Sequence, residues 1–381
     1  MPAYAGMTLS FLRIALLALA LLLLAGLPVA GAADAGAAAP RTEIGVLDGA
    51  PYRIDMPAHW NRGLVVFFHG YQLTPGRFVP GPLPPDLRFV LERGYALIQS
   101  GYREGGWTLD QSLRDTAAVE RHFAVRFGKP RETLAMGMSM GGLLTVKALE
   151  SQPSRYAGGL ALCGAIMPSD RLQRRAFVQL AALDYYAPGL LGDPTRVPAG
   201  YRPDDAVTAR IRAALSNDPR ALHTLRVLVG ANDPGVIAGV LAFERYLIGD
   251  IERRADGNPF ATENVLYLGT GDDRALNTGV RRYTADPAAA RWLQRHYTPS
   301  GRLTRPLLEL HTLHDPLIHA DVGAAYALLA QRQGDAGEFV QQYVPVAGHC
   351  TYTAGDAARA FDELLDWVHH GHRPAPGPLP Q

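Results

Sequence analysis

At 381 residues with 48% apolar side chains, the chain can bury one large core or two modest ones. Lys and Arg number 37 against 36 Asp and Glu, a formal charge of +1. That balance lacks the basic excess through which nucleic acid or an anionic membrane surface is bound, so neither is expected as a partner.

The first stretch, 1–32, carries a single charge, Arg13, followed by the apolar run 14–25, then Gly26, Pro28 and the small-residue site Ala30-Gly31-Ala32. This is the pattern of a cleavable secretory signal. The run is shorter than the roughly 20 apolar residues that a membrane span needs, so the mature chain is expected to be periplasmic or secreted, without a stable anchor. Both Met1 and Met7 can serve as the start. Residues 33–44 read as a flexible leader.

Residues 45–56 form an expected hairpin with Asp48-Gly49 at its turn. The apolar run 63–71 then ends in His69-Gly70-Tyr71, as a strand buried on both faces of a mainly parallel sheet does. Gly70 allows the backbone to pass closely over the C-terminal edge of the sheet, where such sheets bind ligands. The N–H of Tyr71 is therefore a candidate anion donor, and His69 is read as a brace for the loop. A helix over 87–93, a strand over 95–99 and a helix over 113–127 continue the alternation. The loop between the last two carries Tyr102 and Trp107, for which two readings stand: lining of a pocket, or packing beneath their own loop.

Residues 133–142 are a short strand turning into a helix around Gly137-Met138-Ser139-Met140-Gly141. The spacing G-x-S-x-G fits a sharp strand-to-helix turn with a serine at its apex, flanked two residues away by positions that must be nearly side-chain-free. Such a turn exposes the Ser139 hydroxyl as a nucleophile. It also puts the N–H of Met140 at a helix N-terminus, where it can face a developing oxyanion.

After a helix over 143–150 and a strand over 158–164, the alternation stops. From 167 to 304 the pattern is mainly helical, best at 171–183, 205–215 and 236–251, with frequent Pro and Gly. So long an interval is read as a helical cap inserted between two core strands. Tyr185, Tyr186, Tyr201, Phe243 and Tyr246 are either walls of a pocket in it or ordinary core. Strand character resumes at 306–311, and Asp315-Pro316 follows at a strand end, where a carboxylate can orient a histidine. Asp321 is the alternative acid, read as the start of a helix over 322–329. A strand over 338–344 leads to Gly348-His349-Cys350, a glycine-preceded histidine able to reach back toward Ser139, and a helix over 357–368 closes the core. The histidines 369, 370 and 372, beside a Pro-rich tail at 371–381, lack an evident carboxylate or thiolate partner, so no metal site is assigned.

The chain order Ser139, Asp315, His349 distinguishes this set from the two protease orders His-Asp-Ser and Asp-His-Ser. On His69-Gly70, the Gly137 to Gly141 turn, Asp315 after its strand and Gly348-His349 after the last, the sequence resembles the α/β-hydrolase superfamily over 45–166 and 305–368, within a core whose second part is read as 305–370. More narrowly it is similar to secreted bacterial serine hydrolases, which include esterases, polyester depolymerases and prolyl-oligopeptidase-type enzymes. The resemblance implies an α/β fold, a doubly wound, mostly parallel sheet with a large helical cap before the acid-bearing strand. It also implies nucleophile Ser139, base His349, acid Asp315 and oxyanion donors Tyr71 and Met140, with no metal or organic cofactor. The expected substrate is a small-molecule or short-chain ester; a peptidase and a non-catalytic binding protein of the same fold are the alternatives. The only two cysteines, Cys163 and Cys350, are expected to form a disulfide that ties the histidine loop to the sheet. That bond resembles the one beside the triad of tannase and feruloyl esterase relatives, whose other cysteine precedes the serine where this chain has Met138.

Overall fold

The computed structural model describes residues 41–198 and 200–380. The expected signal segment, 1–32, and the first part of the leader lie outside the described residues. The leader does not extend to residue 44, because Arg41–Leu47 is already strand β1, paired antiparallel along its length with β2 (Ala50–Met56). The turn between them places Asp48 at φ 50° and Gly49 at φ 83°, the left-handed pair that a two-residue hairpin needs.

The core continues through β3 (Gly63–Phe68), α1 (Pro85–Glu92), β4 (Ala96–Ser100), α2 (Leu109–Phe127), β5 (Glu132–Met138), α3 (Met140–Ser151) and β6 (Gly158–Leu162). Six helices follow: α4 (Ser169–Tyr186), α5 (Asp205–Asn217), α6 (Pro219–Val229), α7 (Pro234–Ala255), α8 (Asp273–Gly279) and α9 (Pro287–Arg295). The chain then rejoins the sheet through β7 (Leu307–His314), α10 (Asp321–Gln333), β8 (Phe339–Ala347), α11 (Ala354–His370) and β9 (Gly377–Pro378). The sheet order is β1-β2-β4-β3-β5-β6-β7-β8-β9. All pairings from β4 onward are parallel, and only β1–β2 and β2–β4 are antiparallel. This is the α/β-hydrolase fold.

Strand periodicity explains the layers. Leu64, Val66 and Phe68 of β3 face one apolar cluster, with α2, α3, α10 and the inserted helices, whereas Val65 and Phe67 face another, with α1 and α11. β3 is thus buried on both faces, as its unbroken apolar run requires. α3 lies at the centre of the sheet and is buried almost all round. The tail beyond α11 is not simply solvated: its short strand β9 pairs with β8, and Arg373 donates to the carbonyls of Gly337 and Phe339.

Candidate active site

β5 ends at Met138, and α3 begins at Met140, so Ser139 alone makes the turn, at φ 56° and ψ −122°. A non-glycine residue there is strained. The surroundings hold it: the Ser139 N–H donates to Leu162 O (2.9 Å), and its carbonyl accepts from the N–H groups of Gly142 (2.9 Å) and Ala165 (3.0 Å). A side chain at Gly141 would collide with the Phe68 carbonyl, and one at Gly137 with the Gly141 carbonyl. The two glycines of the motif therefore let α3 settle directly on β3 and β5.

His349 follows β8 on a loop with two left-handed residues, Gly348 (φ 111°) and Cys350 (φ 56°). Its Nε2 lies 2.9 Å from Ser139 Oγ and its Nδ1 2.7 Å from Asp315 Oδ2. Asp315 is buried just beyond β7, and its other oxygen accepts from the N–H groups of Leu317 and Ile318, both at 2.9 Å. A carboxylate so supplied with donors accepts from His349 Nδ1–H, which leaves Nε2 free to accept the serine proton. Ser139, Asp315 and His349 are thus brought together from the ends of β5, β7 and β8. Asp321 is not with them: at the start of α10 it pairs with Arg175 (2.7 Å) on the surface.

A second histidine, not singled out in the sequence, lies behind the acid. His311 Nδ1 is 3.0 Å from Glu309 Oε1, and Nε2 is 2.8 Å from Ile318 O and 3.6 Å from Asp315 Oδ2. Burial opposes charge on His311, but the Glu309 hydrogen bond and charge outweigh it and raise the imidazole's pKa. Burial raises that of Glu309, against the pull of His311. Glu309 and His311, two positions apart and so on one face of the strand, were the readable signal of this pair.

The two expected oxyanion donors flank the serine. Met140 N–H is the first of α3, and Gly70 runs so close that a Cβ on it would lie 3.1 Å from Ser139 Cβ. Neither the Tyr71 nor the Met140 N–H finds an acceptor among the described residues. His69 braces this loop: Nδ1–H donates to Gly70 O (2.7 Å), and the ring stacks on Tyr102 at 3.9 Å. Burial pushes the His69 imidazole down to about 4.

Tyr102 and Trp107 part company. Tyr102 is buried under its own loop, its hydroxyl donating to His69 O (3.3 Å), and it does not line the cavity beside Ser139. Trp107 does. That cavity, which is narrow, is bounded by Tyr71, Trp107, Ser139 and Met140 from the core and by faces of α4 and α7 from the insertion. Of the insertion's expected aromatic walls only Phe243 lines it; Tyr185, Tyr186, Tyr201 and Tyr246 do not. Three polar residues on those helices, Gln173, Arg175 and Glu244, also line it, although the sequence reading passed over them.

The insertion is fastened to the core at Asp250 on α7. Its Oδ2 accepts from the N–H of Trp107 (2.8 Å) and the hydroxyl of Tyr71 (3.2 Å), and Arg254 pairs with its Oδ1 (3.0 Å) while donating to Gly105 O (2.7 Å). Cys163, directly after β6, is bonded to Cys350, with Cα atoms 5.4 Å apart. The expected disulfide is present, and it anchors the loop of His349 to the sheet. At the end of α11, Asp366 lies 2.8 Å from His370 and 3.1 Å from His372. The histidine tail therefore does have a carboxylate neighbour, one turn back on the helix, which the sequence reading overlooked.

No family model and no curated protein matches the chain. Among solved structures it is similar to the acylaminoacyl peptidase of Pyrococcus horikoshii, at 14% identity and a TM-score of 0.46, over 86% of this chain and 41% of that one. It is also similar to feruloyl esterase B from Aspergillus oryzae, at 14% identity and a TM-score of 0.48, over 86% and 80% of the two chains. A third similarity is to Est1E from Butyrivibrio proteoclasticus, at 13% identity and a TM-score of 0.43, over 86% and 98%. The chain spans about two fifths of the length of the peptidase.

Proposed function

We propose that the protein is an exported serine hydrolase that cleaves a carboxylic ester through an acyl-enzyme. The observation that carries this reading is the continuous hydrogen-bonded line from Asp315 through His349 to Ser139 Oγ, with contacts of 2.7 and 2.9 Å, opening on a cavity. His349 Nε2 takes the hydroxyl proton as Ser139 Oγ attacks the acyl carbon, and Asp315 stabilises the imidazolium that results. The Tyr71 and Met140 N–H groups receive the negative charge on the carbonyl oxygen of the tetrahedral intermediate. The imidazolium protonates the leaving alcohol, and a water activated by the same histidine then releases the acid.

Export is inferred from the 1–32 segment and agrees with a disulfide, which persists in oxidising compartments. Fractionation of cells expressing the full chain tests it: the mature protein is expected outside the cytoplasm, shortened at its N-terminus.

Activity is tested by incubating the protein with a fluorophosphonate probe, then comparing p-nitrophenyl acyl esters with aminoacyl p-nitroanilides. Labelling that disappears in Ser139→Ala, with esters turned over faster, is the expected result. Absent labelling would overturn the hydrolase reading, and faster anilide turnover would replace esterase by peptidase.

A further inference from the structure

Glu244 lies on the wrong face of its helix for a charged residue. It follows Leu241 by three positions and precedes Leu247 and Ile248 by three and four, on the side of α7 that packs inward, and it is 2% exposed. Its Oε2 is sealed from solvent with no hydrogen-bond partner, and Oε1 makes no hydrogen bond to a described residue. A buried polar group without a partner costs stability, so a site that retains one invites a partner from outside the chain.

Glu244 lines the cavity beside Ser139 together with Gln173 of α4, which is 3% exposed and whose amide likewise makes no hydrogen bond to a described side chain or backbone group. Apart from Arg175, the remaining walls contributed by these helices are apolar, among them Leu172, Phe243 and Leu247. An apolar-walled cavity with two free polar groups selects a ligand with an apolar body and a polar group at a defined place.

The charge of that group follows from the surroundings. Burial drives the Glu244 carboxyl well above the usual carboxylate range, and Arg175, also on the cavity wall, opposes this only in part. The groups that face it are therefore a carboxyl held neutral, a neutral amide and the Arg175 guanidinium, which is itself paired with Asp321. A substrate ammonium would find no free anion, since Asp321 is already paired with Arg175, and would require the Glu244 carboxyl to ionise in an apolar wall. A hydroxyl meets neither obstacle, and it can both donate to and accept from the carboxyl and the amide.

We propose that Glu244 and Gln173 form a recognition site for a neutral hydroxyl group on the substrate, so that the preferred ester is a hydroxylated one. The proposal rests on the hydrolase reading for the identity of the bond cleaved. The hydroxyl itself is held by hydrogen bonds, with no covalent step.

The test separates the two. Ser139→Ala in the otherwise intact protein is titrated by calorimetry with p-nitrophenyl ω-hydroxyalkanoates of increasing length, the matching alkanoates and the matching ω-aminoalkanoates. A mirrored series carries the same groups on the alcohol side. At one length, in one series, the hydroxylated ester is expected to bind about tenfold or more tightly than its unsubstituted counterpart. Glu244→Leu in the same background should erase that difference and raise the urea midpoint, because it removes an unpartnered buried carboxyl. Glu244→Gln, which retains size and hydrogen-bonding capacity, should keep at least part of the preference and guards against misfolding of the leucine variant. Equal binding of hydroxylated and plain esters at every length, or tighter binding of the ammonium esters, overturns the proposal. Fluorophosphonate labelling of the wild type reports separately on the hydrolase reading, so failure of either is recognised by itself.

Discussion

Removal of the Cys163–Cys350 bridge probes the scaffold and the base together. The bridge joins positions 187 residues apart. In the chain-entropy account, a cross-link of that span restricts the unfolded state by about 5 kcal/mol, a large share of the roughly 5–15 kcal/mol by which domains are stable. Locally, Cys350 adjoins His349, and without the bridge the loop would be held chiefly by Gly348 N–H to His314 O (3.0 Å) and Thr312 Oγ1–H to Gly348 O (2.7 Å). Each such bond contributes about 1 kcal/mol net, too little to keep two left-handed residues in place at all times. The double variant Cys163→Ser/Cys350→Ser avoids leaving one thiol to mispair. Urea denaturation should show a loss of about 3–5 kcal/mol. Turnover of a p-nitrophenyl ester should fall by about tenfold in kcat with KM nearly unchanged, since an imidazole that wanders lowers the fraction of aligned triads rather than substrate binding. A midpoint within about 1 kcal/mol of wild type would refute the entropy argument. Full kcat in a destabilised variant would refute the positioning of His349.

Asp315→Asn should lower kcat by about 10⁴ with little change in KM, because the amide can still receive the Leu317 and Ile318 N–H groups but presents the wrong group to His349 Nδ1; a loss under about tenfold would reassign the acid. His69 gives a pH dependence whose sign follows from its depressed pKa: the unfolded chain takes up the proton near 6.5 and the folded one only at about 4. Stability is therefore intact above 6.5 and falls as the pH drops toward 4, by up to about 3 kcal/mol. His69→Asn should flatten the denaturation midpoint across that window, and parallel profiles would exclude the effect. Asp250→Asn should lower stability by about 3 kcal/mol, because it removes the charge that holds Arg254 while Trp107 N–H and Tyr71 still face the site. Denaturation midpoints measure it, and a change below about 1 kcal/mol would mean that the latch carries little energy.

The parts legible in the sequence were those dictated by short-range rules. A strand buried on both faces shows as an apolar run, and the serine turn shows because its geometry tolerates only glycine at positions 137 and 141. The insertion was less legible for a physical reason. Its prolines were read as punctuation, yet Pro219, Pro234 and Pro287 each stand at the first turn of a helix, and Asp218 and Asp233 cap the N–H groups behind the first two. Asp286, in the same position before Pro287, is instead engaged by the Asn258 N–H. Three Asp-Pro pairs thus marked three helix starts, two of which, α6 and α9, were missed. The two readings of Tyr102 and Trp107 stayed open because burial beneath a loop and exposure to a cavity look alike in sequence, and each residue takes a different one. Glu244 was passed over because a lone acid in a helix usually faces water.

The insertion between β6 and β7 is not a loosely attached lid. Its apolar residues belong to the same cluster as one whole face of the sheet, including Leu143 and Leu144 of α3 and Tyr326 of α10. Swinging it outward would expose that cluster, at a cost that scales with the apolar area uncovered. Tyr71 sharpens the point, because its N–H is the expected oxyanion donor while its hydroxyl is bound to Asp250 on α7 and its ring stands edge-on to Phe243 at 5.5 Å. In the proposed reading, the cavity wall and the expected oxyanion donor Tyr71 are therefore one mechanical unit. Substitutions on α7 that displace Asp250 must consequently move kcat as well as KM, whereas those confined to Glu244 should shift substrate preference and stability together.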